Sequence, residues 1–245
     1  MANPVLEVKN IYKTFGQLDA VRDLSFVVRP GEIYGLIGPN GSGKTTTLNI
    51  VAGLHRPTSG NVTVQGYDLA LKPTGVKRQI GFIPDNPVAY DRLTGREFLR
   101  FVGELFDMDR RERDERIELL LGEYKIQDLA DGLFGNYSRG TKQKISLIAA
   151  LLHDPALLLI DEPMVGLDPA SVLITKRILR RFADQGGAVL LATHTLSVAE
   201  EICQRFGLLT NGRLISEGEK SVLLHQSGLE QGSLEDIFIS LTANL

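Results

Sequence analysis

The chain has 245 residues, 43% of them hydrophobic and 23% charged, with a formal net charge of -3. That is an ordinary globular composition, long enough for one large or two small domains, and its charge balance gives no overall pull toward nucleic acid. Cys203 is the single cysteine, which excludes an intrachain disulfide. The longest apolar run, Ile145 to Leu152, falls far short of the roughly 20 residues that span a bilayer, and "MANPVLEVKN" has neither the basic nor the apolar region of a signal peptide.

The first sixty residues read as strands and turns. "VLEVKNIYKTF" and "LSFVVRPGE" alternate apolar and polar residues, and Pro30-Gly31 marks a turn. Glu32 to Gly38, "EIYGLIG", is a mostly apolar strand, and Thr45 to Leu54 has helical character ended by Gly53 and Pro57. "GNVTVQGYDL" and "IGFIP" at Ile80 to Pro84 are further strands. From about Arg92 to His153 helix formers take over. "TGREFLRFVGELF" brings Phe98, Phe101, Val102, Leu105 and Phe106 near one helical face, and "DRRERDERIELLLGEY" predicts a charged helix with Ile117, Leu120 and Leu121 inward. Strands return with "ALLLID" and "AVLLATH". Asn211-Gly212 between apolar runs predicts a hairpin, and "GSLEDIFISLTANL" a short amphipathic helix.

Gly38 to Thr45, "GPNGSGKT", satisfies the pattern G-x-x-x-x-G-K-[ST]. A loop that wraps a phosphate must turn several N–H groups inward, and Gly38, Gly41 and Gly43 permit the dihedrals and the close approach. Pro39, Asn40 and Ser42 complete the cradle, and the helix beginning near Lys44 adds its positive end. Lys44 is expected to bridge the β- and γ-phosphates and the Thr45 hydroxyl to ligate Mg²⁺. The strand before and the helix after are the context this motif requires, so the stretch reads as a site for a nucleoside triphosphate.

Ala156 to Glu162, "ALLLIDE", ends an apolar strand in two carboxylates, which is costly unless they reach something cationic. Asp161 is placed to hold Mg²⁺ through water and Glu162 to polarise an attacking water as general base. Alone, the pair reads equally well as a strand-end turn before Pro163. Beside the phosphate loop the catalytic reading prevails.

"GPNGSGKT", then "YSRGTKQK" at Tyr137 to Lys144, "LLLIDEP", "GLD" at Gly166 to Asp168, and His194 after a strand occur in that order. This set resembles the nucleotide-binding subunit of ATP-binding cassette (ABC) transporters over essentially the whole chain. The resemblance implies an α/β phosphate-loop, RecA-like core with an antiparallel β subdomain and an inserted α-helical subdomain. The core is expected at about 1–88 and 154–220, the insert at about 89–153, and a helical appendage at 221–245. Ser138, Arg139, Gly140 and Thr141 correspond to the family signature, usually Leu-Ser-Gly-Gly-Gln. Ser138 is also of N-cap type for the following helix. In the family this end meets ATP held by a second subunit, so two chains sandwich two ATP head-to-tail. The implied partners are a second ATPase subunit, identical or related, and a membrane-spanning subunit, with no nucleic acid. The implied place is the cytoplasmic face of the membrane.

Other roles carry over by position. Phe15 matches the aromatic that stacks on adenine, with Tyr12 competing, and Val21 the ribose side. Thr46 matches the α-phosphate contact, Asp168 the loop crossing the dimer interface, and His194 the γ-phosphate contact. His55, His153 and His225 lack such context and read as structural or surface residues. Tyr137 and Thr141 replace the Leu and Gln of the signature, which are mild changes, and two further departures stand out. Arg139 replaces the first glycine of the signature pair, and Asp85 stands where the family usually has a glutamine that ligates Mg²⁺ and links to the insert. "DNPVAYDRLTGREFLRFVGEL" and "GSLEDIFISLTA" look like the branch serving small exporters of drugs, lipids, antibiotics or polymers. An importer subunit and an ATPase acting on a soluble assembly are the alternatives.

Overall fold

The computed structural model describes residues 3–86 and 90–243. The expected boundary between core and insert, at about 88–89, lies outside them. Ten strands and nine α-helices are found among the described residues: β1 (Leu6–Phe15), β2 (Leu18–Val28), β3 (Ile33–Ile37), α1 (Lys44–Val51), β4 (Ser59–Val64), β5 (Tyr67–Asp68), α2 (Pro73–Arg78), β6 (Ile80–Ile83), α3 (Gly95–Leu105), α4 (Arg110–Tyr124), α5 (Arg139–Leu151), β7 (Leu157–Asp161), α6 (Pro169–Asp184), β8 (Ala188–Thr193), α7 (Leu196–Ile202), β9 (Arg205–Thr210), β10 (Arg213–Gly218), α8 (Lys220–Ser227) and α9 (Leu234–Thr242).

Alternation builds the first sheet, an antiparallel one in the order β2-β1-β4-β5. Leu6, Val8, Leu24, Phe26, Val28, Val62 and Val64 turn to one buried face while their neighbours stay wet. The second sheet has the order β10-β9-β3-β8-β7-β6. Strands β6, β7, β8, β3 and β9 run parallel, and β10 returns antiparallel beside β9. Every residue of β3, β7 and β8 is buried, as expected of parallel strands covered on both faces. The Asn211-Gly212 turn that joins β9 to β10 has positive φ at both residues, 48° and 77°, which is why that dipeptide serves there.

The two sheets and α1 enclose one apolar cluster, with Leu36, Leu48, Ile50, Leu159 and Leu190 inside. A second cluster lies between the parallel sheet and helices α3 to α6, with Leu99, Ile117, Leu121, Phe134, Ile148 and Leu179. A third seats α7, α8 and α9 against β3 and β9 through Ile37, Leu208, Leu223, Leu234 and Ile237. Several helices start on side-chain caps: Thr94 and Glu97 form a capping box on α3, Asp109 caps α4, and Ser233 with Asp236 forms a second box on α9.

Some expectations need correction. Leu105 is 62% exposed, and the buried stripe of α3 runs Gly95, Leu99, Gly103, one i,i+4 row to the side of the face drawn from the sequence. The charged helix α4 buries Ile117, Leu120 and Leu121 as predicted, but it also buries Arg113, whose guanidinium reaches Glu104 and Asp114. Gly103 makes room for it, since a Cβ there would lie 2.5 Å from Arg113 Cδ. Helix α6, with Pro169 in its first turn, has no counterpart among the elements expected above.

Candidate functional site

The strand β3 ends at Ile37 and the chain turns back at once into α1. Gly41 and Gly43 take φ of 79° and 108°, left-handed conformations that L side chains rarely adopt. A Cβ at Gly43 would lie 2.5 Å from the Ala20 carbonyl oxygen of β2, so glycine is needed for space as well as for dihedral freedom. Gly43 is the N-cap of α1 and offers its first turn no side-chain acceptor. Free amides at that end form an anion-binding concavity.

Lys44 is buried, and its Nζ donates to the carbonyl oxygens of Gly38 at 2.8 Å and Pro39 at 2.9 Å. Burial lowers its pKa, against the pull of Glu162 and Asp161. Thr45 Oγ1 donates to Asp161 Oδ2 at 2.6 Å, which joins the start of α1 to the end of β7. Burial raises the Asp161 pKa, with the Thr45 hydrogen bond opposing and the negative charges of Glu162 and Asp85 adding to the rise. The Ser42 hydroxyl is buried without a protein partner, an orphaned polar atom inside the phosphate loop.

Glu162 follows Asp161 with φ of 53°, a conformation that costs a non-glycine residue about 1–3 kcal/mol and persists only when neighbours hold it. They do. Thr193 Oγ1 donates to Oε2 at 2.8 Å, and the His194 amide donates to Oε1 at 2.8 Å. His194 Nδ1 lies 2.6 Å from the same Oε1. That contact makes Nδ1 the donor and leaves Nε2 the acceptor in the neutral ring.

Gly41, Gly43, Lys44, Thr45, Asp161, Glu162 and His194 line one cavity of about 760 Å³ with Phe15, Asn40, Thr46, Asp85 and Arg139, while Gly38, Pro39, Ser42 and Thr193 lie behind its wall. Phe15 is at its mouth, half exposed, edge-on to His55 and beneath Lys13 Nζ at 4.7 Å. Tyr12 does not line the cavity. Val21 is only 1% exposed and turns into the core between the sheets, contrary to its expected place. The reason is a bulge. Ile11 pairs with Leu24 and Lys13 with Val21, so one residue is extra at Arg22–Asp23 and Val21 falls on the inward face of Leu24; a second extra residue, Ala20, between Val21 and Asp19, faces the cavity. Leu18, Arg22, Val165 and Asn211 also line the site. Sequence reasoning missed them because no motif marks them, as it missed Thr193, which only its place before His194 could have flagged.

The expected signature lies on the edge of this region. Ser138 caps α5 by accepting from the Thr141 amide at 3.2 Å. Ser138, Gly140, Thr141 and Asp168 do not line the cavity. Gly140 packs against the loop after Glu162: a Cβ there would lie 2.5 Å from the Gly166 carbonyl oxygen. Asp168 caps α6 through the Ser171 amide and also accepts from Lys144 Nζ at 3.1 Å. The Ser171 hydrogen bonds, then Lys144, hold its carboxyl well below the usual carboxylate range. Arg139 is the exception to this outward arrangement. Its guanidinium turns inward and donates to Asp85 at 3.1 Å.

Of the three lone histidines, His153 Nε2 lies 3.1 Å from the Ile80 carbonyl oxygen and its ring stacks on Phe106. Together with Phe98, Val102 and Phe106 it lines a smaller groove of about 270 Å³ between β6 and helices α3 and α5. No helix among the described residues is long and apolar enough to cross a membrane.

Comparison with known proteins agrees with this geometry. A family model described as ABC transporter matches residues 21–165. The ABC-type transporter ATP-binding protein EcsA of Bacillus subtilis (strain 168) is 33% identical over 97% of this chain and 96% of its own length. A Nod factor export ATP-binding protein I of Burkholderia lata is 35% identical over 89% of this chain and 72% of its own. Among solved structures, an ATP-binding subunit of an ABC transporter superposes with a TM-score of 0.93 at 35% identity, over 97% of this chain and 99% of that one. A dimeric ATP-binding cassette in a post-hydrolysis state, bound to ADP and Pi, gives 0.81 at 25% identity, over 87% of this chain and 98% of that one.

Proposed function

The chain belongs to the ATP-binding subunits of ABC transporters, and on that premise we propose that two copies, or this chain and a related one, close head-to-tail over two ATP and drive a membrane-spanning exporter. One observation carries the reading: the phosphate loop, Asp161 and Glu162 from the end of β7, and His194 from the end of β8 converge on a single cavity.

The residues present fit a magnesium nucleotide. The buried, unpartnered Ser42 hydroxyl, the positive-φ glycines and the free end of α1 make an anion cradle. Thr45 and Asp161, already joined, are a hydroxyl–carboxylate pair of hard oxygen donors suited to Mg²⁺, with Asp85 near enough to raise the Asp161 pKa. The ion would neutralise charge on the β- and γ-phosphates. Lys44 exchanges its two backbone carbonyls for phosphate oxygens. Phe15 offers the base a ring face, with Ala20 and Leu18 as apolar flank. Thr46 lies on the α-phosphate side.

Glu162 is the general base, with His194 and Thr193 fixing both of its carboxylate oxygens. A carboxylate so held cannot swing away, and the proton of the attacking water has one place to go. Ser138 and Gly140 at the start of α5 serve the nucleotide of the partner chain, and Asp168 lies in the loop that meets it. The core is taken as about 1–88 and 154–220, the helical insert as 89–153 and the appendage as 221–245. Export is supported by the relative named for Nod factor export. A peripheral place at the cytoplasmic face follows from such a partner.

The test is a pull-down of tagged Glu162→Gln from detergent-solubilised membranes of the native host, with ATP and Mg²⁺, read by mass spectrometry. A stoichiometric multi-spanning partner supports the transporter reading. A soluble partner with nothing from the membrane overturns it and leaves the ATPase chemistry in place.

A further inference from the structure

Arg139 and Asp85, the two departures that change charge, bind each other. Four carboxylates line the cavity, Asp19, Asp85, Asp161 and Glu162, and the negative charge of Asp85 is felt at Asp161. A counter-charge for Asp85 does not come from Lys44, whose Nζ is held by the loop carbonyls. Arg139 supplies it from a different element, the first residue of α5.

The stem of Arg139 is fixed as well. A Cβ at Gly166 would lie 3.1 Å from Arg139 Cγ, so the side chain runs along the loop that follows Glu162. Lys144, further along α5, bonds Asp168 of the same loop. The start of α5 is thus fastened to the 162–168 loop, and the Arg139–Asp85 ion pair links it to the segment after β6. That pair is half exposed on both sides, 53% and 44%. Such a pair is weak enough to be exchanged when a charged ligand arrives.

We propose that the Asp85–Arg139 ion pair is a tether that reports occupancy of a chain's own nucleotide cavity to the N-terminus of α5, the end capped by Ser138. Arg139 is then a positioning residue. With the cavity filled, Asp85 turns to the nucleotide site, the guanidinium is released, and the first bonded amides of α5 loosen. This rests on the nucleotide reading of the cavity; the dimer makes it consequential, because the same end of α5 serves the partner's ATP.

The experiment is hydrogen exchange at the amides of Thr141 to Lys144 on the full chain, with and without MgADP, at a concentration where the protein is monomeric. Wild type should exchange about two- to fivefold faster with MgADP, the factor a half-exposed ion pair supplies. Asp85→Asn and Arg139→Gln should exchange at that faster rate without nucleotide and show no further change on adding it. Arg139→Lys should restore the response. An unaltered rate in wild type, or a response that persists in both uncharged variants, overturns the tether. A fluorescent ADP titration of each protein separates this from failure of the nucleotide reading, in which none of them binds. Light scattering of Glu162→Gln with MgATP tests the dimer independently.

Discussion

Replacing Glu162 by glutamine should arrest hydrolysis and spare everything else. The carboxylate accepts three hydrogen bonds, from the Thr193 hydroxyl at one oxygen and from the His194 amide and Nδ1 at the other. A carboxamide of the same shape can keep its oxygen on His194 and present its NH₂ to Thr193. The Thr193 hydroxyl rotates and accepts there while it still accepts from the Thr195 amide. The Thr193 O–H gives up its acceptor, so the cost in folding stability is that of one lost hydrogen bond, about 1 kcal/mol. What is lost is the base. General-base catalysis contributes about 10²–10⁴ in rate, equivalent to about 2.7–5.4 kcal/mol of barrier at 1.36 kcal/mol per tenfold. Phosphate release from pre-bound ATP in a single turnover should slow by that factor. The ATP dissociation constant should change less than about threefold, and the urea midpoint should hold. Turnover near wild type refutes the assignment of the base. So does a loss of ATP binding at unchanged stability, because the side chain would then be holding nucleotide.

Two further outcomes follow from other contacts. Gly43→Ala places a Cβ 2.5 Å from the Ala20 carbonyl oxygen at a φ of 108°; it should weaken ATP binding at least about tenfold and destabilise the fold by about 1–3 kcal/mol, and an unchanged dissociation constant would remove the loop from the site. Burial pushes the His153 pKa down to about 4, below its ordinary value, so between that pH and about 6.5 the unfolded chain binds the extra proton and stability falls as pH falls. His153→Leu should flatten the decline of the urea midpoint across that window, and identical slopes in the two proteins would contradict a buried neutral ring.

The legible parts of this chain are those where a local pattern and its chemistry coincide. The phosphate loop, the Asp161–Glu162 strand end, the Ser138 cap and the Asn211-Gly212 hairpin each need particular residues at fixed spacing, and each stands where the spacing put it. What escaped depends on pairing between distant segments. Val21 turned inward because of a bulge at Arg22–Asp23, and a register shift leaves no mark in the residue order. Leu105 reads as core in an apolar run, yet the buried stripe of α3 is decided by what packs on it, including a glycine that accommodates Arg113. Asp85 and Arg139 are separated by the whole helical segment α3 to α4, so each departure could be noted but not their contact. Helix α6 was within reach: Asp168 as cap, Pro169 in the first turn, and Ile178, Leu179, Phe182 and Ala183 at helical spacing are its signals.

The close approach of Gly140 to the Gly166 carbonyl bears on how such a chain can drift. A side chain at position 140 would have to displace the loop that carries Asp168, so a change at the start of α5 is felt at the start of α6. The two positions behave as a single locus. A library that randomises position 140 alone would return glycine, whereas one that also varies the length of the 163–167 segment would open sequences that no stepwise path reaches.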